Sequence, residues 1–209
     1  MLGGSVAAQA APKTLLVYGD SLSAGYGLAR DTGWVDLLAR RISQNALPWR
    51  VVNASISGET TAGGATRLPA VLRQHRPAIV VIELGGNDGL RGLPIEAMRA
   101  NLERMIQAAR RAGATPVLVG MRLPPNYGTQ YTTKFHETYR SLARRHDIVL
   151  VPFLLERVAA RADYFQLDMI HPTVQAQPLI LDEVWPYLEP LLDAQKRTGA
   201  MKARATHKS

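Results

Sequence analysis

The sequence predicts an α/β fold in which helices cover both faces of a parallel β-sheet. Two observations predict it. Five short apolar runs rich in β-branched residues alternate with longer amphipathic segments, and such runs are typical of strands buried on both faces of a parallel sheet. Alternating strands and crossover helices are the way in which parallel sheets are built. The predicted strands span residues 14–18, 50–54, 78–84, 115–121 and 147–153.

Four of the intervening segments have the apolar periodicity of helices that pack on a sheet. The second should end at Gly113, because glycine commonly follows the last turn of a helix. The fourth should be interrupted at Pro186 and Pro190, because proline removes a helical hydrogen bond. The segments span residues 33–44, 96–113, 131–147 and 176–192. The apolar stripes of the first two are Val35, Leu38 and Ile42, and Met98, Leu102, Met105 and Ala109.

The 209 residues are expected to form one domain over residues 12–194, because no linker or internal repeat divides the chain. No apolar run approaches the roughly 20 residues of a membrane span. The formal net charge is +8, and residues 195–209 carry several of these charges with no acid among them. This basic segment is predicted to be a disordered tail rather than a nucleic-acid site, since it has no aromatic side chain to stack on bases.

Residues 1–11 are interpreted as a signal-peptide remnant or a disordered start. Ala8, Gln9 and Ala10 fit the small-x-small pattern that precedes a signal-peptidase cut, although no charged region comes before them. Export to the periplasm is therefore favoured, with the cytoplasm as the alternative.

Several classes of chemistry are excluded by the residue inventory. The chain has no cysteine, which excludes disulfides, thiolate metal sites and a cysteine nucleophile. No histidine pair has the spacing of a zinc site. Neither a Gly-x-x-x-x-Gly-Lys phosphate loop nor a Gly-x-Gly-x-x-Gly turn after a strand is present. No metal or other cofactor is therefore expected.

Polar or glycine-rich residues follow every predicted strand. Ser21 follows the first strand, Gly58 the second and Asn87 the third, while Asp168 and His171 come after the fifth and before the last helix. In parallel sheets of this kind, ligands bind beyond the carboxyl ends of the strands. These residues are therefore expected to meet in one site.

Together these residue types suit nucleophilic catalysis. A serine hydroxyl needs a base that accepts its proton during attack, and histidine, with a reference pKa of about 6.5, can accept and return a proton near neutral pH. Asp168 lies three residues before His171 and can orient its ring. The backbone N–H groups of Ser21 and Gly58 and the Asn87 carboxamide are candidate donors to an oxyanion.

Each of these residues also has a structural interpretation. Gly-Asp-Ser is a common turn, Gly58 suits a turn with positive φ, and Asn87 could cap the following helix. Asp168 to His171 could be a loop that ends at Pro172. The catalytic interpretation is favoured because the structural ones require several independent coincidences at the same edge of the sheet.

The sequence around these residues resembles the SGNH, or GDSL, hydrolase family, whose four blocks centre on serine, glycine, asparagine and histidine. Ser21 lies in YGDSLSAGYG, Gly58 in ISGET, Asn87 in ELGGNDGLRG and His171 in DMIHPT. The stretches MRLPPNYGTQY and HP…AQP are similar to the bacterial multifunctional thioesterase I, protease I, lysophospholipase L1 and arylesterase branch, whose members are usually exported. The resemblance covers residues 14–192.

The resemblance implies a flavodoxin-like three-layer α/β/α sandwich with strand order 2-1-3-4-5. It implies hydrolysis of acyl esters and thioesters through an acyl-enzyme on Ser21, with His171 as general base and Asp168 as its orienting acid. It places the oxyanion between Ser21, Gly58 and Asn87. The partner is then a small-molecule acyl ester or thioester, with transient lipid contact, no integral membrane segment and no nucleic acid.

The substrate side of the site is expected to be apolar. Met169 and Thr173 depart from the pattern that the family has around its histidine. Met169 is expected to alter the rim of the site. The loop 89–94 either closes over an acyl chain or forms a rigid turn. The candidate substrate-binding residues are Gly89, Leu90, Leu123, Pro124 and Tyr127.

A carbohydrate O-deacetylase and a non-catalytic binding protein are the competing functions.

Overall fold

The structure is a computed structural model that describes residues 11–205, with side chains to residue 193. The predicted signal-peptide remnant over residues 1–11 lies outside the described residues except for its last position. Residues 206–209 of the predicted tail also lie outside them. Within residues 11–205, no helix combines the length and the apolar composition needed to cross a membrane.

Five parallel strands form one sheet in the order β2-β1-β3-β4-β5, which confirms the expected fold class and strand order. All five predicted strands are present, with ends shifted by a few residues. The two central strands are buried almost throughout because helices cover both faces. The strands are β1 Lys13–Gly19, β2 Trp49–Asn53, β3 Ile79–Glu83, β4 Thr115–Val119 and β5 Val149–Val151.

The described residues contain seven α-helices, and the four predicted helices are among them. The predicted apolar stripes of α2 and α5 are buried. Gly113 adopts a φ of 79° just after α5, where the sequence predicts that the helix stops. The helices are α1 Ser21–Ala24, α2 Trp34–Gln44, α3 Thr61–His75, α4 Gly86–Leu90, α5 Ile95–Arg111, α6 Thr129–His146 and α7 Gln177–Ala205.

Three helices, α1, α3 and α4, were not predicted. The longest of them, α3, contains Gly63, Gly64 and Pro69, and these residues have the lowest helix propensities. It forms because Thr60 accepts a hydrogen bond from the Gly63 N–H at its start and because its buried face packs against α5. Tertiary packing therefore overrides local propensity in this segment.

The last helix corrects one expectation. α7 continues through Pro186 and Pro190 instead of being interrupted there. Both prolines are exposed, so water can bind the carbonyl groups that they leave without a helical partner. α7 runs to Ala205, so the segment predicted as a tail over residues 195–209 begins as a continuation of this helix.

The helices form two layers around the sheet. α2 packs on α7 on one side, while α3 packs on α5 and α5 on α6 on the other. The largest fully buried side chains are Trp34, Tyr18, Tyr139 and Phe135. Because all strands are parallel, their carboxyl ends lie at one edge, where loops rather than core side chains face solvent.

Candidate active site

Ser21 lies at the junction between β1 and α1. β1 ends at Gly19 and α1 begins at Ser21. Asp20 caps the helix, since its Oδ1 accepts a hydrogen bond from the Leu22 N–H at 3.1 Å. Only glycine fits at position 19, because a Cβ there would lie 2.5 Å from Oε2 of Glu83. The tight junction presents the half-buried Ser21 side chain at the edge of the sheet.

The structure brings the three predicted catalytic side chains into one hydrogen-bonded line. Ser21 Oγ lies 2.8 Å from Nε2 of His171. Nδ1 of the same ring lies 2.7 Å from Oδ2 of Asp168. With the hydrogen on Nδ1, the ring donates to Asp168 and accepts from Ser21, which is the arrangement that general-base activation of a serine requires.

Asp168 is held as a carboxylate on an exposed loop. Its Oδ1 accepts hydrogen bonds from the N–H groups of His171 at 3.0 Å and Ile170 at 2.9 Å. These bonds, led by the backbone N–H of His171, lower the pKa of Asp168 to about 2. Asp168 is therefore ionised at every pH at which the enzyme is expected to work.

Two residues that sequence reasoning missed support the His171 ring. Tyr26 packs against it with ring centroids 4.5 Å apart. Gln166 Nε2 donates to the carbonyl groups of Tyr26 at 2.9 Å and Pro172 at 3.1 Å, which ties the loop after Ser21 to the loop of His171. Tyr26 stands five residues after Ser21 in the glycine-rich stretch, so its position alone could have indicated a place in the site.

Asn87 lines the same cavity as Ser21, and Gly58 precedes one of the residues that Asn87 contacts. Asn87 Nδ2 is 3.1 Å from Oδ2 of Asp20, the residue that precedes Ser21. It is also 3.1 Å from the carbonyl oxygen of Glu59, the residue that follows Gly58. Gly58 has a φ of 77°, a conformation that favours glycine. Asn87 thus connects the ends of three strands.

The segment that carries Asn87 is anchored by buried polar contacts. Asp88 accepts from the Thr61 N–H at 2.8 Å and from Thr61 Oγ1 at 2.6 Å. Asn101 Nδ2 in turn donates to Thr61 Oγ1 at 3.0 Å. Asp88 and Thr61 are both buried. These bonds fix α4 against α3 and α5, so Asn87 is presented from a rigid support.

A buried pair of carboxyl groups lies beneath Ser21. Asp20 is 2% exposed and Glu83 is fully buried. Glu83 Oε2 accepts from Ser23 Oγ at 2.7 Å and from the Asp20 N–H at 3.3 Å. Burial raises the pKa of Asp20 to about 6 and raises the pKa of Glu83 well above its ordinary value, with the Asp20 charge adding to the effect on Glu83. Sequence reasoning did not assign either group a role.

An apolar cavity of about 670 Å³ opens beside Ser21 and His171. Its size is in the range that takes a small organic ligand. The polar residues on its wall are few: Asp20, Ser21, Asn87, Arg122 and His171. The apolar wall includes Leu90, Met121, Leu123, Pro124, Pro125, Phe153, Leu155, Ala159, Ala160, Ala162, Phe165, Met169 and Ile170.

The structure places the five candidate substrate-binding residues in two groups. Leu90, Leu123 and Pro124 line the cavity. Gly89 packs behind it, where a Cβ would lie 2.6 Å from Leu123 and 2.7 Å from Phe135. Tyr127 supports the wall from outside, since its hydroxyl donates to the Leu90 carbonyl at 2.9 Å. The residues of the segment 153–165 that line the cavity belong to no motif, so no pattern in the sequence indicates them.

The fold and this site define a class, the serine hydrolases built on a three-layer α/β/α sandwich. A family model described as the GDSL-like lipase/acylhydrolase family matches residues 17–177. The match covers most of the chain and includes all the site residues described above. The chain therefore belongs to the GDSL-like lipase/acylhydrolase family and is an ester hydrolase, which confirms the family that the sequence resembles.

The chain is similar to named bacterial esterases over most of its length. It is 52% identical over 184 residues to "Esterase TesA" of Pseudomonas aeruginosa, covering 88% of this chain and 92% of the relative. It is 44% identical over 184 residues to "Thioesterase 1/protease 1/lysophospholipase L1" of Escherichia coli strain K12, covering 88% and 87%. A solved structure of TesA superposes with a TM-score of 0.84 at 51% identity, covering 86% of this chain and 99% of that one.

Proposed function

We propose that this protein hydrolyses acyl esters and thioesters through an acyl-enzyme on Ser21. One observation carries the proposal. Oγ of Ser21, the His171 ring and the Asp168 carboxylate form a continuous hydrogen-bonded line with contacts of 2.8 Å and 2.7 Å. This line opens into an apolar cavity. A nucleophile, a base, an orienting carboxylate and a place for an acyl chain are therefore adjacent.

In the acylation step, Ser21 Oγ attacks the carbonyl carbon of the substrate and transfers its proton to Nε2 of His171. The carbonyl oxygen becomes an oxyanion that accepts hydrogen bonds from the Ser21 and Gly58 N–H groups and from Asn87. Asp168 stabilises the imidazolium that forms. The oxyanion then re-forms the carbonyl, the bond to the alcohol or thiol breaks, and the imidazolium gives the leaving group its proton.

Deacylation repeats these steps with water as the nucleophile. His171 takes a proton from the water as it attacks the acyl-enzyme carbonyl, and the same donors hold the second oxyanion. Collapse of this intermediate breaks the bond to Ser21 Oγ, which recovers its proton from the imidazolium. The products are the carboxylic acid and the free enzyme, so the reaction needs no cofactor.

The lining of the cavity supports an acyl chain as the bound group. Its wall is mostly aliphatic, whereas a carbohydrate O-deacetylase needs polar groups and stacking aromatics around a sugar. The names of the relatives, which include thioesterase and lysophospholipase, support the same substrate class. We assign thioesters and lysophospholipids as substrates on this combined support.

The mouth of the site also supports transient contact with lipid. Leu167, Met169 and Ile170 lie in the loop of His171 and are 105%, 59% and 45% exposed. Tyr26, which packs on His171, is 53% exposed. Exposed apolar side chains beside an apolar cavity are typical of sites that meet hydrophobic partners.

We also propose export to the periplasm. The small-x-small pattern at Ala8 to Ala10 supports this location, and cell fractionation tests it.

Hydrolysis of a series of p-nitrophenyl esters with acyl chains of graded length tests the function, followed by acyl thioesters of the same lengths. The wild type should cleave both series, and Ser21→Ala should lower kcat by at least a thousandfold. Ser43→Ala is the matched control, because Ser43 is an exposed serine on α2 and should retain full activity. Hydrolysis that survives Ser21→Ala would remove Ser21 as the nucleophile.

A further inference from the structure

The Asn87 carboxamide makes two contacts that leave it no spare hydrogen. Its Nδ2 carries two hydrogens and lies 3.1 Å from two acceptors, Oδ2 of Asp20 and the carbonyl oxygen of Glu59. To donate to an oxyanion, Asn87 must give up one of them. A hydrogen bond to a carboxylate is roughly twice as strong as one to a neutral carbonyl. The bond to Glu59 is therefore the one to be exchanged, and the bond to Asp20 remains.

From this geometry we infer that Asp20 is a positioning residue of the oxyanion hole, whose ionised carboxylate holds the Asn87 carboxamide in its donating orientation. The inference rests on the proposed function, which assigns Asn87 to the oxyanion. It gives the aspartate of the Gly-Asp-Ser stretch a role in the reaction beyond capping α1.

Asp20 is itself held firmly enough to position another side chain. Its Oδ1 is fixed by the Leu22 N–H, and its own N–H donates to Glu83 Oε2 at 3.3 Å. The side chain is 2% exposed, so water does not compete for Oδ2. A Cβ on Gly86 would lie 3.4 Å from Oδ2, which shows how closely the start of α4 approaches this oxygen.

The charge on Asp20 depends on the groups that face it. Glu83 approaches from β3, Asp88 from α4 and the His171 ring from the loop before α7. Among the described residues, no hydrogen-bond partner reaches Oε1 of Glu83, and burial raises the pKa of this fully buried group well above its ordinary value, which favours its protonated form. Tyr139, also buried nearby, has a pKa raised well above its ordinary value and stays neutral. Asp20, with a pKa of about 6, is then the ionised member of the pair at neutral pH.

The test compares two isosteric substitutions in the buried pair. Asp20→Asn keeps a good helix cap and nearly the same shape but removes the charged acceptor. We expect it to lower kcat on a short-chain ester by about ten- to a hundredfold, a fraction of the loss seen when an oxyanion donor is deleted, with KM changed less than about threefold. Glu83→Gln is the matched control, since glutamine has nearly the shape of the protonated form that burial favours, and kcat should stay within about threefold of the wild type.

A double-substitution cycle then asks whether Asp20 acts through Asn87. In an Asn87→Ala background, Asp20→Asn should cost little further activity, because the side chain that it positions is gone. The pH profile gives an independent readout. The wild type should lose kcat on acidification with contributions from both Asp20 and His171, and Asp20→Asn should retain only the contribution of His171. Thermal melts establish that each variant is folded.

Three results would overturn the inference: kcat of Asp20→Asn within threefold of the wild type, an equal loss from Asp20→Asn with and without Asn87, or an unchanged pH profile. If Asp20→Asn does not fold, Asp20→Ser replaces it, since serine also caps a helix but is too short to reach Asn87. Failure of the proposed function would look different, because Ser21→Ala would then remain active whatever Asp20 does.

Discussion

Two aspartates flank the catalytic centre, and their surroundings give them opposite properties. Asp168 lies on the exposed loop before α7, and three hydrogen bonds from His171 and Ile170 lower its pKa to about 2. Asp20 is buried beneath Ser21, and loss of water raises its pKa to about 6 despite two hydrogen bonds. The comparison shows that solvent exposure decides whether hydrogen bonds or desolvation set the charge of a carboxyl group.

The exposed carboxylate should have the largest effect on the reaction. Asp168→Asn keeps the side-chain shape but removes the charge that orients His171 and stabilises its imidazolium form. We expect kcat to fall by about 10³- to 10⁴-fold, as in other serine hydrolases with this arrangement. Steady-state kinetics on a p-nitrophenyl ester measures the loss.

Asp163→Asn serves as the control for the Asp168 variant. Asp163 is exposed on the same segment and pairs with Arg161 instead of a histidine, so its loss should leave kcat unchanged. A decrease of less than tenfold in Asp168→Asn would mean that the carboxylate does not assist His171.

Asp20, the buried carboxyl, should affect the reaction less than Asp168 does, and it should also affect stability. Because the pKa of Asp20 is raised from 3.8 to about 6, the folded state keeps a proton that the unfolded state loses in this range. The contribution of Asp20 to stability is thus fully present below about pH 4 and is lost as the pH rises through about 6. Between pH 4 and 7 the free energy of unfolding of the wild type should fall by up to about 3 kcal/mol relative to Asp20→Asn.

Urea unfolding at several pH values measures this difference in slope. Asp168 should act in the opposite direction: its lowered pKa adds stability above about pH 4, which is lost as the pH falls towards 2. Parallel stability curves for the wild type and Asp20→Asn over pH 4–7 would contradict the assignment of a raised pKa to Asp20.

The smallest expected effect is that of Met169, at the rim of the cavity. Met169 lines the cavity and has a φ of 58°, a conformation that favours glycine. Met169→Gly removes a contact to the acyl chain, so KM for long-chain esters should rise about three- to tenfold while kcat on short esters stays the same. Stability should change by less than about 1 kcal/mol, because the relief of strain offsets the extra entropy of glycine in the unfolded chain.

Leu167→Ala is the matched control for the rim. Leu167 is fully exposed and does not line the cavity, so KM for soluble esters should not depend on it. Equal changes in KM for the two variants would show that the surface of the loop, rather than the contact of Met169 with the chain, determines the preference.

The exposed catalytic side chains could be predicted from the sequence, and the buried Asp20–Glu83 pair could not. Ser21, Asp168 and His171 stand at strand ends in a recognisable order, and the alternation of strands and helices predicts that these ends meet. The Asp20–Glu83 pair depends on the register that sets Gly19 beside Glu83 in adjacent strands. Hydrophobic periodicity predicts that both strands are buried but does not fix which of their residues are neighbours.

Two failures at the level of secondary structure have a related cause. The glycines and the proline of α3 argue against a helix locally, and only the packing of α3 on α5 stabilises it. Pro186 and Pro190 would break an isolated helix, but both lie on the exposed side of α7. In α3 the deciding contacts join residues distant in the chain, and in α7 the exposure of the two prolines decides the outcome.

Labelling with an alkyl p-nitrophenyl phosphonate tests the central claim most directly. Attack by Ser21 Oγ on phosphorus releases p-nitrophenolate and leaves a tetrahedral phosphonyl group on the serine, which intact-mass measurement and peptide mapping locate. The claim predicts one phosphonyl group per chain, attached to Ser21, formed much more slowly in Asp168→Asn and absent in Ser21→Ala. A phosphonyl group on any other residue, or labelling of Ser21 at the same rate in Asp168→Asn, would contradict it.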